Sequence, residues 1–284
     1  MKIQIINKRI LGDFLSHITL IVLSIMWLFP LFWLLMNSFR VEGGAFTPYF
    51  FPKEIGFQNY INLFTRTDVY NFPLWFRNTL TVAIFSTTIS TIIILMTSYV
   101  FSRLRFRMRR PLMNIMLVLG LFPGFMSMIA IYHILKMLNL TQTLTALVLV
   151  YSAGSAMGYY IAKGFFDLIP RSIDEAALID GASKNIVFWK IILPLSKPII
   201  AYTLVTTFIG PWVDFIFASV IMRGNPSKFT VAYGLRQMIE TETITVFYTQ
   251  FCAGAVVISI PLALLFLLTQ KSYVGGVTGG ATKG

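Results

Sequence analysis

The chain has 284 residues, of which 56% are hydrophobic and only 12% charged, well outside the ~45–50% and ~25% typical of soluble domains. That composition excludes an ordinary water-soluble enzyme or binding module and marks a membrane protein. A single cysteine, Cys252, excludes an intrachain disulfide, and two histidines with no neighbouring Cys or His-x-Glu pattern form no common zinc site. The net charge of +12 must be placed along the chain before it can be read.

Six apolar stretches follow one another at 18–37, 78–102, 111–132, 140–162, 198–222 and 243–270, the fifth interrupted only by Asp214. Each has the length of a helix crossing a hydrocarbon core of ~30 Å. None shows the period-two alternation in roughly ten-residue segments expected of a membrane barrel. The expected fold is therefore all-α and polytopic, with six transmembrane helices. The organisation is an N-terminal segment 1–17, a membrane domain 18–270 containing a long loop at 163–197, and a tail at 271–284.

Fifteen of the 23 Lys and Arg residues fall in segments 1–17, 103–110, 163–197 and 271–284. By the positive-inside rule these face the cytoplasm, and so do both termini. The cluster Arg103, Arg105, Arg107, Arg109 and Arg110 then reads as topology and contact with lipid head groups, not as a nucleic-acid surface. The first apolar run follows Lys8 and Arg9 as a secretory signal would. It exceeds the 7–15 residues of a signal core and has no small-x-small cleavage site, so it reads as a retained anchor. The loop after it carries Pro48, Tyr49, Phe50, Phe51, Pro52 and Tyr60, the composition of a folded loop against the membrane surface that helps form an outer docking face.

Within the apolar stretches, Asp214 is the one formal charge, and an acid there is costly unless paired or wetted. It faces a pathway or gate, or it satisfies a helix end near the outer interface beside Trp212. Both readings stand at this point. Tyr99, Tyr132, Tyr151, Tyr159, Tyr160 and Trp212 are gate or packing residues. Gly120 with Gly124 and Gly154 with Gly158 have the small-xxx-small spacing of close helix packing, and Pro123, Pro211 and Pro261 can bend their helices.

Loop 163–197 reads as two short helices. Ser172 or Asp174 can cap the first, Glu175 stands at capping-box distance from Ser172, and Gly181 ends it. The second starts near Lys184 and stops near Pro194, whose ring disfavours helical geometry at Leu193. Ala176, Ala177 and Ala182 are small enough for close approach by another protein, with Glu175 and Asp180 able to bond at its edge.

The residues Glu175-Ala176-Ala177, then Asp180-Gly181-Ala182, then Leu193-Pro194 match at every diagnostic position the loop of the binding-protein-dependent permeases of ATP-binding-cassette importers, which the chain resembles. The resemblance implies the type I importer permease fold. It implies that the loop is a coupling helix seated in a groove of a cytoplasmic ATPase, with Glu175, Ala176, Ala177, Asp180, Gly181 and Ala182 as contacts.

Segments 122–132, 163–166 and 229–235 look most like the smaller permease of maltose and maltodextrin importers. The tail 269–284 is similar to one that reaches between the two ATPase subunits, which would put Gly279, Gly280 and Lys283 at that contact. Where sugar permeases often have Trp-Asn-Asp-Phe, this chain has Trp212-Val213-Asp214-Phe215. Trp212, Asp214 and Tyr132 are the candidate pathway or gate residues, although in the maltose importers the sugar site lies largely in the partner permease.

The partners implied are a second homologous permease, two ATPase subunits, an extracytoplasmic solute-binding protein and membrane lipid, in the cell (inner) membrane. The chain has no Gly-x-x-x-x-Gly-Lys-Ser/Thr loop to cradle nucleotide phosphates. ATP and magnesium are therefore expected on the partner ATPase, with no cofactor on this chain and no catalysis by it. The expected function is a carbohydrate importer permease, maltodextrin first and other oligosaccharides, polyols or non-sugar solutes after it, working by alternating access. The rival from another class is an ion-coupled secondary carrier, which interrupted helices and Asp214 would also suit.

Overall fold

The computed structural model describes the backbone of residues 2–45, 47–121, 124–153 and 156–281, with side-chain surroundings given for these except 2–11, 125, 156 and 273–281. The fold is helical throughout. Among the described residues the only extended pairing is an isolated bridge between Arg40 and Ile55. The chain divides into two compact units, residues 1–71 with 237–257, and residues 72–236 with 258–284.

In the first unit, α1 (Lys2–Ser38) is a long helix whose segment Gly12–Ser38 is apolar enough to cross a membrane. Its exposed face carries Leu20, Ile25, Met26 and Trp27, as a helix whose solvent is lipid requires. The loop after α1 is folded, in line with its composition. Phe50 stacks on Phe29 at 5.4 Å and meets Trp33 at 5.0 Å. The buried Arg40 donates to Thr47 Oγ1 at 2.9 Å and to the Gly44 carbonyl. The Glu42 carboxylate accepts from the Lys53 and Glu54 amides.

Short helix α2 (Gln58–Thr65) buries Asn59. The Asn59 amide donates to the Ser38 and Arg40 carbonyls at 3.0 and 2.7 Å, while its oxygen accepts from Thr249 at 3.0 Å. One asparagine thereby satisfies backbone groups that the end of α1 would otherwise leave unpaired.

The second unit is built on α3 (Phe72–Arg103), which packs against α6 (Leu144–Ala153), α7 (Ala156–Leu168) and α11 (Lys197–Val213). Helices α4 (Arg109–Leu121) and α5 (Gly124–Met137) come between α3 and α6. After α7 come α8 (Arg171–Ile179), α9 (Lys184–Ile186), a π-helical turn Val187–Ile192, and α10 (Leu193–Leu195). Helix α12 (Ile216–Met222) follows α11, and α13 (Val231–Met238) and α14 (Ile244–Ala281) complete the order.

Three helical segments are each long and apolar enough to cross a membrane: Gly12–Ser38, Phe72–Arg103 and Ile244–Ser272. They correspond to the expected first, second and sixth spans. The third and fourth expected spans run through residues 122–123 and 154–155, with Pro123 and Gly154, which lie outside the described set. The fifth breaks at Asp214, whose extended backbone (φ −81°, ψ 98°) separates α11 from α12. Gly124 has no atom near a prospective Cβ, so within this chain it supports no close helix contact.

The end of α3 nearest the chain start is locked to the segment before α13. Asn78 Nδ2 donates to the carbonyls of Ser227 and Phe229, both at 3.0 Å, and Thr79 Oγ1 accepts from the Val231 amide at 2.8 Å. Close by, Gly234 sits under the indole of Trp75, where a Cβ would come within 2.1 Å of Cε3. Trp75 is itself buried, so it has little room to move. We expect Gly234→Ala to destabilise the protein by about 1–3 kcal/mol through overpacking. A lower thermal unfolding temperature in detergent would report it, and an unchanged one would show that the indole relocates freely.

Candidate functional site

Pro170 starts α8, its backbone at φ −56° and ψ 133°, and the nine-residue helix that follows carries the Glu-Ala-Ala motif. Gly181 ends it in the left-handed region at φ 83°. The Ala182 amide donates to the Ala177 carbonyl at 2.9 Å and the Gly181 amide to Leu178 at 3.1 Å, the paired closing bonds of a Schellman turn. The expected glycine stop is thus present.

The expected cap is not. Position Pro170 precedes the helix, no side chain caps it, and Ser172 and Asp174 lie inside α8. The proline sets the entry without a side-chain acceptor, which frees Asp174 to point elsewhere. Ser183 caps the next turn instead, accepting from the Ile186 amide at 3.3 Å.

Nor does Pro194 stop the second helix. The chain stays helical through Leu195 because the backbone widens into a π turn at Val187–Ile192, the Leu193 amide bonding back to Phe188. A wider turn relieves the clash between a proline ring and the preceding carbonyls. The change of direction comes at Ser196, where Lys184–Leu195 and Lys197–Val213 meet at 81°.

This segment is packed into the second unit. Ala177, Val187, Phe188 and Ile192 are buried in one apolar cluster with Ile94, Leu95 and Tyr99 of α3 and Ala162 and Phe166 of α7. The Tyr99 ring lies 4.8 Å from Phe188 and 6.0 Å edge-on from Phe166. Ala177 therefore seats the helix on its own core, because its face of α8 is the one turned inward. Ala182 is half-buried beside it, while Glu175, Ala176, Asp180 and Gly181 are exposed, as are Leu178 and Ile179, the latter 86% exposed.

Polar ties reinforce the packing. Arg103 Nε lies 2.9 Å from Asp174 Oδ2 with both side chains largely buried, and Arg103 Nη2 donates to the Ile169 carbonyl at 2.9 Å. The Nε contact is an ion pair without hydrogen-bond alignment. Burial pushes the Asp174 carboxyl above the usual carboxylate range. Arg103 and Arg171 only partly offset this, and the neighbouring Glu175 adds to it. Ser102 donates to Asp167 at 2.6 Å, and Lys163 pairs with Asp167 one turn away. A cleft of about 320 Å³ opens beside these groups, lined by Arg103, Arg105, Arg171, Glu175 and Lys184 among others. Neither Arg103 nor Asp174 was singled out as a pair by sequence, since no local spacing links them.

A second feature lies farther along the unit. A cavity of about 650 Å³ is bounded by Ser90, Ser127, Met128, Ile131, Val150, Tyr151, Thr206, Thr207, Asp214 and Phe217, together with Gly124, Gly210, Pro211 and Ile216. Asp214 does two things there. Its Oδ1 accepts from the Phe217 amide at 2.9 Å, capping α12, and its Oδ2 accepts from Tyr151 Oη at 3.1 Å. Asp214 thus ends a helix and borders the cavity.

Trp212 is 1% exposed and packs on Phe76 and Phe208 outside the cavity lining. Tyr132 is half-buried beside His133 and does not line the cavity either. The cavity residue that sequence did not favour is Tyr151, whose hydroxyl reaches Asp214. The last turns of α14 run through Gly279 and Gly280 to Ala281, where a tail had been expected, and Lys283 lies outside the described residues.

The fold defines a helical membrane protein with several apolar helices and a short-helix segment, α8–α10, packed on its own core. Residues 90–274 match the family model described as binding-protein-dependent transport system inner membrane component. The chain is 34% identical over 278 residues, 98% of each chain, to a galactooligosaccharides transport system permease protein of Bacillus subtilis (strain 168). It is 33% identical over 279 residues, again 98% of each, to a maltodextrin transport system permease protein of Streptococcus pneumoniae (strain ATCC BAA-255 / R6). A chain in the crystal structure of a bacterial ABC transporter involved in the import of the acidic polysaccharide alginate has the same fold. That match has a TM-score of 0.76 and 23% identity, and covers 93% of this chain and 96% of that one. This chain belongs to the family of binding-protein-dependent transport system inner membrane components. It is a multi-pass protein of the cell membrane.

The Arg103–Asp174 pair makes a stability prediction. Removing one partner of a buried ion pair leaves the other charge uncompensated, at about 3–5 kcal/mol, whereas replacing both by apolar groups of similar volume is close to neutral. We expect Arg103→Met alone to lower the unfolding temperature in detergent markedly, and Arg103→Met with Asp174→Leu to recover most of the loss. Equal losses in the single and double variants would show that the Ile169 carbonyl contact, and not the ion pair, holds Arg103.

Proposed function

We propose that this chain is one of two permease subunits of an ATP-driven importer of neutral oligosaccharides, with six spans, both termini in the cytoplasm, and α8 as the helix that receives the force of ATP hydrolysis. The observation that carries this reading is the docking segment. Its inner side is built into the cluster around Tyr99 and Phe188, while Glu175, Leu178, Ile179 and Asp180 are left exposed at its tip. An exposed apolar pair flanked by carboxylates on a short, capped helix fits a groove in another protein.

The partners in this reading are a second permease, two cytoplasmic ATPase subunits that hold ATP and magnesium, and an extracytoplasmic solute-binding protein. Alternating access follows when closure of the ATPases displaces α8 and the helices packed on it. The likeness to permeases named for maltodextrin and for galactooligosaccharides supports a solute of linked neutral hexoses, and these two are the first to compare. An ion-coupled carrier would have no use for a docking helix.

The test uses the complete transporter in proteoliposomes with labelled maltodextrins and galactooligosaccharides. Gly181→Val forces a β-branched residue into a left-handed backbone, and Glu175→Lys and Asp180→Lys reverse charge at the tip. Each is expected to lower ATP-dependent uptake at least tenfold while the chain still inserts and is recovered from membranes. Normal uptake in all three would overturn the coupling role of α8. Uptake driven by an ion gradient without the ATPase would overturn the importer reading.

A further inference from the structure

Between the end of α3 at Arg103 and Pro111 in the first turn of α4 stand Arg105, Arg107, Arg109 and Arg110. We propose that these four build a defined site for the phosphate of one anionic phospholipid, whose acyl chains lie along α4. A built site differs from the diffuse attraction of any basic loop to a membrane, because it selects one head group and holds it. It stands independently of the importer reading, since it needs only that α3 and α4 flank a membrane surface.

The first observation is that these charges lack a protein partner. Arg103 is paired with Asp174, but among the described residues the guanidinium groups of Arg105, Arg107, Arg109 and Arg110 make no ion pair and no hydrogen bond. Asp167 feels the charge of Arg109, yet it is already bonded to Lys163 and Ser102. Asp174 and Glu175 line the neighbouring cleft and not this pocket. Four like charges crowded into six positions repel one another until an anion neutralises them.

The second observation is where the helix starts. Arg109 and Arg110 occupy the first turn of α4, and no acidic residue stands there. The positive pole of a helix opposes cations and favours anions. The sequence breaks the usual charge preference at the end where a bound phosphate turns the conflict into attraction, and such local violations belong to functional sites.

Shape is the third. The four arginines, with Phe106 and Pro111, line a pocket of about 370 Å³. Phe106 packs on the buried Phe101 at 5.7 Å, and the Tyr160 hydroxyl donates to the Met113 carbonyl of α4, so the pocket is tied to the core on both sides. A guanidinium offers two parallel N–H bonds to a phosphate, a geometry an ammonium cannot give.

The rest of α4 indicates which phosphate. The helix buries none of its residues in this chain, and Leu112, Ile115, Val118 and Leu119 are exposed along it. A cationic pocket that continues directly into an exposed apolar helix fits an amphiphile, with its head at Arg109 and its chains on the helix. A free phosphate or a nucleic acid would leave that apolar face unused. Arg105 also lines the cleft beside Arg103 and Asp174, so the lipid phosphate would lie against the support of α8.

The test is native mass spectrometry of the complete transporter, titrated in detergent with palmitoyl-oleoyl phosphatidylglycerol or with the zwitterionic phosphatidylcholine. This chain is wild type, Arg105→Gln with Arg109→Gln, Arg105→Lys with Arg109→Lys, or Lys190→Gln with Lys271→Gln. The last pair removes the same charge from exposed positions outside the pocket. The other subunits are the same in every sample, so the lipid they bind cancels in the comparison.

The Gln pair is expected to weaken the tightest phosphatidylglycerol binding about fivefold or more and the Lys pair about threefold, because each loses the paired guanidinium bonds. Phosphatidylcholine binding and the Lys190 and Lys271 control should stay unchanged. The Lys pair keeps every charge and so guards against a loss of fold in the Gln pair. Unchanged binding in the Gln pair overturns the site, and an equal loss in the control reduces it to net charge and overturns it as well. Full binding in the Lys pair overturns the guanidinium geometry. Displacement of the lipid by an equal concentration of glycerol phosphate, which carries the phosphate without the chains, overturns the lipid as the source. None of these outcomes bears on ATP-dependent sugar uptake, which tests the importer reading separately.

Discussion

The structure of the second unit depends on how Phe188 and Ala177 are held against Tyr99. Loop 163–197 could have hung from the membrane domain on flexible joints, in which case a force applied at its tip would be absorbed locally. It is instead part of a close-packed cluster shared with α3 and α7, and packed interiors move as bodies because they have little free volume to collapse into. The Arg103–Asp174 pair fixes the register of that packing. An apolar contact tolerates sliding by a fraction of a turn, whereas two charges withdrawn from water do not tolerate separation.

Helix α3 serves as the common support, and its composition explains how. Its buried face carries Thr79, Ser86, Thr87, Ser90, Thr91, Ser98 and Ser102, a stripe of small hydroxylated residues along one side of the helix. Small hydroxylated side chains let neighbouring helices approach closely and offer bonds across the contact. Ser98 reaches the Tyr159 carbonyl at 3.0 Å and Ser102 reaches Asp167. Bulky apolar residues are found on both sides, outward at Ile84, Phe85 and Ile92 and inward at Val82, Ile94 and Leu95. In lipid apolar contact between helices gains little over contact with acyl chains, so the hydroxylated residues are what distinguishes the inward face.

The same logic accounts for what could be read from the sequence. The membrane class, the helical fold and the Gly181 stop were legible because each rests on a local signal: run length, absence of period two, and a glycine after a helical motif. The polar partners were not. Asp174 looked like a cap because sequence shows it only next to Ser172 and Glu175, while its partner Arg103 lies on another helix. Arg103 in turn was absorbed into a basic cluster that the positive-inside rule already explained. Ala177 belonged to a motif whose residues all looked alike at the level of size, and only the phase of α8 separates the one that turns inward. The π turn before Pro194 had no signature beyond the proline, which by itself reads as a stop.

Asp214 shows how the two ends of the unit are joined. Helix α11 begins at the 81° bend after Leu195 and runs without interruption to Val213, about 25 Å at 1.5 Å per residue. One end therefore continues the α8–α10 segment and the other delivers Pro211 and Asp214 to the cavity. Ser196 at the bend is fully buried, its hydroxyl turned back to the Ile192 carbonyl at 2.6 Å. A polar residue sealed in this way marks a rigid elbow. Helix α11 also packs along α3, so its course is fixed over its length. At its far end the backbone turns extended at Asp214, and the carboxylate, by bonding Tyr151 on α6 and the Phe217 amide in the first turn of α12, ties the two sides of the break to a third helix.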